Sequence, residues 1–172
     1  MAKVAVLIEA LYQDMEVWYP YLRLKEEGHD VVAAGTGEKT YVGKYGYPIN
    51  VDAHVKDLEA AKLSGIVIPG GWAPDKLRLS KPVLDLTRAM VESGKVVAAI
   101  CHAGWVLASA GVCKGRELTS FVAIKDDLVN AGARWVDKEV VRDGNLITSR
   151  TPADLPAFMR TTLSALRELG KG

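Results

Sequence analysis

Short apolar runs alternate along the chain with longer stretches of mixed polarity. Residues 3–8 are apolar after the first, which predicts a strand buried on both faces. Residues 14–27 read as a helix closed by Gly28. A second strand is predicted over 30–34, a polar amphipathic helix over 53–63, and a third strand over 65–69 that runs into Gly70-Gly71. A helix over 83–93, ended by Gly94, leads into a fourth strand over 96–100 and a helical run over 106–110. Uniformly apolar strands separated by amphipathic helices imply a parallel sheet covered on both faces. Residues 139–143 and 146–149 flank Gly144-Asn145 and predict a two-residue hairpin, with glycine at the first turn position. Thr151-Pro152-Ala153-Asp154 predicts the start of the last helix, with a Thr cap, Pro in the first position and an acid in the first turn. The expected architecture is one doubly wound α/β domain over residues 1–172, with a mostly parallel central sheet.

At 172 residues, 49% apolar and 25% charged, the chain has room for a full core. A net charge of +1, without long blocks of one sign, speaks against a dedicated nucleic-acid or membrane surface. No stretch approaches the roughly 20 apolar residues that span a bilayer. The apolar run after Lys3 is too short for a signal peptide and ends at Glu9. Two cysteines, Cys101 and Cys113, form neither a disulfide framework nor a Cys-x-x-Cys pair. His29, His54 and His102 lack metal-ligand spacing. The expected compartment is therefore the reducing cytosol, and no metal site is expected.

In such sheets the ligand crevice lies beyond the carboxyl ends of the strands. Three segments leave strand ends with suitable chemistry: residues 9–16, Pro69-Gly-Gly-Trp-Ala-Pro-Asp75, and Cys101-His102. A thiol where a strand turns sharply into a helix is a nucleophile-elbow arrangement. Free N–H groups and partial positive charge at the helix start favour a thiolate, so Cys101 reads as a reactive, low-pKa centre. Cys113, in Gly111-Val-Cys-Lys-Gly115, reads as packing. His102 is adjacent in sequence and is not expected to face the sulfur; it becomes a proton shuttle only if the turn swings it round and a carboxylate orients it. Gly70 and Gly71 let the backbone approach a ligand and offer N–H groups to an oxyanion. Their spacing matches neither G-x-G-x-x-G nor a Walker loop, which argues against nucleotide binding. Glu16, in the first turn of a helix, reads on its own as a dipole-compensating acid. The aromatic, glycine-rich loop Gly43-Lys-Tyr-Gly-Tyr-Pro48 is expected to be a contact surface between copies.

Tyr12-Gln-Asp-Met-Glu16, Leu24-Lys-Glu-Glu-Gly-His29, Ile68-Pro-Gly-Gly-Trp-Ala-Pro-Asp75 and Ala99-Ile-Cys-His102 occur in that order. Ser109-Ala-Gly-Val112, Ile124-Lys-Asp-Asp127, Asn130-Ala-Gly132 and Ser149-Arg-Thr-Pro-Ala-Asp154 follow. With these motifs almost the whole chain resembles the DJ-1/PfpI family, in its PfpI-like branch. The resemblance implies a flavodoxin-like sandwich of the class I glutamine amidotransferase type. It implies Cys101 as nucleophile, Glu16 as a buried acid hydrogen-bonded to its sulfur, and backbone N–H groups of Gly71 and His102 facing an oxyanion. It also implies that Asp75 of a neighbouring subunit orients His102, in a dimer or hexamer. The chain departs from the branch in carrying Asp75 for the usual Glu, His102-Ala103-Gly104 for His-Gly-Pro, and Phe121 for a Tyr near the pocket. Trp72, Trp105 and Phe121 are expected to line that pocket, the two tryptophans narrowing it in favour of small substrates. The activity implied is that of a cofactor-free cysteine enzyme of the glyoxalase III or deglycase type, acting on small reactive carbonyls or glycated amines. The alternatives are an intracellular cysteine peptidase active as an oligomer, and a redox-sensing stress protein or chaperone in which Cys101 is oxidised to sulfinate.

Overall fold

A computed structural model describes residues 1–170. The strands in chain order are β1 (Lys3–Leu7), β2 (Asp30–Gly35), β3 (Thr40–Val42), β4 (Pro48–Asn50), β5 (Ala53–His54) and β6 (Gly65–Ile68). They continue as β7 (Val96–Ile100), β8 (Glu117–Leu118), β9 (Arg134–Trp135), β10 (Val140–Asp143) and β11 (Leu146–Ser149). The helices are α1 (Asp14–Glu26), α2 (Ala73–Leu77), α3 (Lys81–Glu92), α4 (Gly104–Ala110), α5 (Lys125–Asn130) and α6 (Leu155–Leu169). Seven strands form the central sheet in the order β10-β11-β7-β6-β1-β2-β5. Every pair is parallel except β10–β11, the antiparallel hairpin that Gly144-Asn145 predicted. All residues of β6 and β7 are buried, as their unbroken apolar runs require when helices cover both faces. Helices α1 and α6 pack together on one face, and α3 and α4 on the other.

The strand order places the next strand after β1 on one side and β6 on the other, so the chain reverses its winding there. Ligand crevices of open α/β sheets form at such a reversal. The loops after β1, β6 and β7 leave the same edge side by side, tied by Gln13 N–H to Gly70 C=O (3.2 Å) and Trp72 N–H to Leu11 C=O (2.9 Å).

Two sequence expectations need correction. Residues 53–63 do not form a helix: Ala53 and His54 pair with Ala34 and Gly35 of β2, and two 3-10 turns follow. The His54 imidazole Nδ1 accepts the Lys56 N–H at 3.0 Å, a local bond that competes with helix formation despite favourable composition. The last α-helix starts at Leu155 rather than at Pro152, after a 3-10 turn, and the Thr151 side chain makes no capping bond. Asp154 instead accepts Arg150 Nε at 2.9 Å and Arg150 Nη2 at 3.0 Å, fixing the loop that carries Thr151 and Pro152.

Candidate active site

Cys101 begins a 3-10 turn between β7 and α4, with φ of +63°. A non-glycine residue in this left-handed region costs on the order of 1 kcal/mol and persists only where its surroundings hold it. The strain has a geometric consequence: the chain folds back so tightly that the His102 Nδ1 lies 3.2 Å from the Cys101 sulfur. This overturns the expectation that a neighbour in sequence would face elsewhere. The N–H groups of Gly71 and His102 also point at the sulfur.

Glu16 reaches the sulfur from the first turn of α1, whose start is fixed by Gln13. The Gln13 side-chain oxygen accepts the N–H of Met15 at 2.7 Å and that of Glu16 at 3.3 Å. The Glu16 side chain is fully buried; its Oε2 accepts the Gly70 N–H at 2.7 Å, and its Oε1 has no partner among the described residues. Gly70 is therefore not free to serve an oxyanion, as the sequence suggested, because its one donor holds Glu16. It must still be glycine, since a Cβ there would collide with Glu16 Oε2 and with the Cβ of Cys101. Gly71, at φ +73°, packs so closely on Leu11–Gln13 backbone that a Cβ has no space either.

Burial, opposed by the Gly70 N–H, Lys44 and Cys101, lifts the Glu16 carboxyl from 4.5 to about 7. Burial and the negative charge of Glu16 push the Cys101 thiol up to about 12, against the pull of the Gly71 and His102 N–H groups. The expected low-pKa thiol is thus not present while Glu16 is ionised. Desolvation outweighs the helix start, and two anions do not share one buried site. Glu16 and Cys101 form a pair that holds a single negative charge, which rests on the Glu16 carboxylate while the Cys101 thiol stays protonated.

The His102 ring stacks on Phe121 (centroids 5.0 Å apart) and meets Trp105 edge-on at 5.1 Å, with Trp72 at 6.3 Å. Burial and then Lys44 lower its pKa, keeping the imidazole neutral. No carboxylate of the same chain bonds it among the described residues, and Asp75 is exposed on α2. Trp105 does not narrow the pocket as expected. Its Nε1 donates to Asp127 at 2.9 Å, and its ring backs His102 from outside the cavity.

The cavity over the sulfur has a volume of about 220 Å³ and is lined by Gln13, Glu16, Lys44, Tyr45, Gly71, Trp72, Cys101, His102, Phe121, Thr151 and Pro152. Sequence reasoning missed Gln13, Lys44, Tyr45, Thr151 and Pro152. The loop read as a contact surface contributes Lys44 and Tyr45 to this lining. The Asp14 carboxylate accepts the N–H groups of Tyr45 and Tyr47, each at 3.0 Å, and bends the loop over α1. Cys113 is buried apart from the cavity, as expected of a packing residue.

The family model of the DJ-1/PfpI family matches residues 2–165. This chain belongs to the DJ-1/PfpI family. It is 44% identical over 165 residues to Deglycase PfpI of Pyrococcus furiosus, covering 96% of this chain and 99% of that one. It is 42% identical over 171 residues to Protein/nucleic acid deglycase 2 of Escherichia coli, with 98% of both chains covered. Among solved structures, Drosophila melanogaster DJ-1beta superposes with a TM-score of 0.88 at 32% identity, over 99% of this chain and 96% of that one. The flavodoxin-like sandwich implied by the motifs is the fold of this family member. No helix among the described residues is long and apolar enough to cross a membrane.

Proposed function

We propose that this protein is a cofactor-independent cysteine enzyme that acts on reactive carbonyls or on the amines they glycate. The observation that carries the reading is the convergence on one sulfur of Glu16, of His102 Nδ1 at 3.2 Å, and of two backbone N–H groups. Cys101 attacks the aldehyde carbon while its proton passes to Glu16. A C–S bond forms, and the carbonyl oxygen takes the charge against the N–H groups of Gly71 and His102. Glu16 returns that proton to the oxyanion, and the resulting hemithioacetal of a 2-oxoaldehyde then loses its carbon-bound proton to Glu16 or His102 and regains one at the neighbouring carbon. Water cleaves the thioester so formed, giving a 2-hydroxy acid and the free thiol with no external oxidant. With a glycated amine, the sulfur displaces the amine, which leaves with the proton held by Glu16. The names of the relatives from Pyrococcus furiosus and Escherichia coli support this chemistry. A cavity of about 220 Å³ suits small carbonyls better than an extended peptide. The test is a panel of methylglyoxal, glyoxal, glycated amino acids and fluorogenic peptides. Turnover of the carbonyls and glycated amines is expected; peptide cleavage alone would make the protein a peptidase, and oxidation-dependent holdase activity without turnover a stress chaperone.

We further propose that the site is completed between copies of the chain, with Asp75 of one copy orienting His102 of another. Support comes from an imidazole that lacks a carboxylate partner within its own chain among the described residues, and from an exposed acid on α2. Mixed oligomers of Cys101→Ser and Asp75→Ala chains should regain part of the activity, because one site then joins an intact Cys101 to an intact Asp75. No recovery after demonstrated subunit exchange, or full activity of Asp75→Ala alone, overturns the idea. A cytoplasmic location belongs to the same reading, since a thiol nucleophile persists in a reducing compartment.

A further inference from the structure

The cavity lining contains a single cationic side chain, Lys44, and nothing in the mechanism above uses it. Its ammonium makes no hydrogen bond or ion pair among the described residues; its only described partner is the Tyr45 ring, 5.2 Å from Nζ to centroid. Its field nevertheless reaches all three reacting groups, Glu16, Cys101 and His102. Asp14, at the start of α1, directs its two oxygens to the N–H groups of Tyr45 and Tyr47 and forms no ion pair with the Lys44 ammonium. Lys44 N–H is itself tied to the Tyr12 C=O at 2.9 Å, so the backbone that presents the ammonium is fixed. Gly43 reinforces this arrangement, since a Cβ at that position would fall on the Asp14 carboxyl.

A buried Glu16–Cys101 unit that carries one negative charge repels an anionic substrate unless a cation offsets it. An unpaired ammonium at the mouth supplies that offset and leaves its three donors free for an acceptor. We propose that Lys44 is a specificity-determining residue that selects substrates bearing a carboxylate close to the reacting carbon, as in a glycated free amino acid. The carboxylate sits at the mouth against Lys44 while the glycated carbon rests on the Cys101 sulfur. Neutral dialdehydes fill only the floor of the cavity. This inference rests on the carbonyl-enzyme reading for its substrate, but the anion preference of the site does not.

Alkylation of Cys101 separates the two. Iodoacetate and iodoacetamide react by the same displacement, a C–S bond forming as iodide leaves, and differ chiefly in charge. Lys44→Gln should lower the iodoacetate rate relative to the iodoacetamide rate by about tenfold, and Lys44→Arg should restore the ratio. Turnover is compared on the methylglyoxal hemithioacetals of N-acetylcysteine and of its amide. The preference for the carboxylate form should fall by a similar factor in Lys44→Gln. Equal slowing of both alkylating reagents means that Lys44 only helps ionise the thiol, and overturns the proposal. So does an unchanged alkylation ratio, or an equal turnover loss on the two hemithioacetals. A shifted alkylation ratio with neither hemithioacetal turned over keeps the anion preference and removes the carbonyl-enzyme reading instead.

Discussion

Cys101→Ser is expected to lower turnover of methylglyoxal by on the order of 1,000-fold or more, while Cys113→Ser leaves it nearly intact. The two cysteines are alike in burial, and burial pushes both thiols up to about 12. What separates them is the company each keeps. Cys101 has a carboxylate able to take its proton, an imidazole at 3.2 Å and two N–H donors. Burial alone raises the Cys113 thiol, and among the described residues it has no partner to accept a proton. A serine hydroxyl at position 101 is far too weak an acid for a carboxyl that titrates near 7 to activate it. Serine at 113 places a hydroxyl in an apolar site, so its cost of about 1–3 kcal/mol falls on stability rather than on turnover per folded molecule. Kinetics alongside thermal melts read both effects. Appreciable turnover by Cys101→Ser, or a folded but inactive Cys113→Ser, would contradict the assignment.

The elements that were legible in the sequence are those whose own composition dictates their state. The buried strands β6 and β7, and β1 after its exposed first residue Lys3, leave no polar residue to place in water, and Gly144-Asn145 can turn a hairpin without help from the rest of the fold. Residues 53–63 misled because helix-forming residues there are overruled by two-residue pairing with β2, a long-range contact that propensity does not register. Within the site, Cys101 was legible from its place between an apolar strand and a helix. The orientation of His102 was not, because it follows from the positive φ of Cys101, a backbone state that packing imposes. Lys44 was hidden for a similar reason. The capture of two loop N–H groups by Asp14, about thirty residues earlier in the chain, and the Lys44 N–H bond to Tyr12 C=O bring it into the cavity lining. The acidity of Cys101 was misjudged because a helix start is a local feature, whereas desolvation and the charge of Glu16 arise only on folding.

Glu16→Gln should cost about 100- to 1,000-fold in kcat/KM, within the range of a lost general base, and should change two pH profiles at once. In the native enzyme the Glu16 carboxyl, lifted to about 7, is protonated in mildly acidic solution and has no capacity to accept the thiol proton. As pH rises through 7 it ionises, and kcat/KM should climb along a limb with an apparent pKa near that value. Glutamine does not titrate, so the limb should move up toward the titration of the thiol itself. Stability should respond in the opposite sense. A carboxyl whose folded-state pKa exceeds its unfolded value of 4.5 favours the fold fully below that value, and the advantage is lost as pH rises to about 7. The loss amounts to about 3 kcal/mol for a group with no exposure to solvent. Denaturant unfolding across this range should reveal it in the native chain and not in Glu16→Gln, whose amide oxygen still accepts the Gly70 N–H. Near pH 8 the inactive variant should therefore be the more stable protein, as expected when a buried ionised base is kept for chemistry at the expense of the fold. An activity limb that stays in place in Glu16→Gln, or a native stability that is flat between pH 4.5 and 7, would show that Glu16 does not carry the proton.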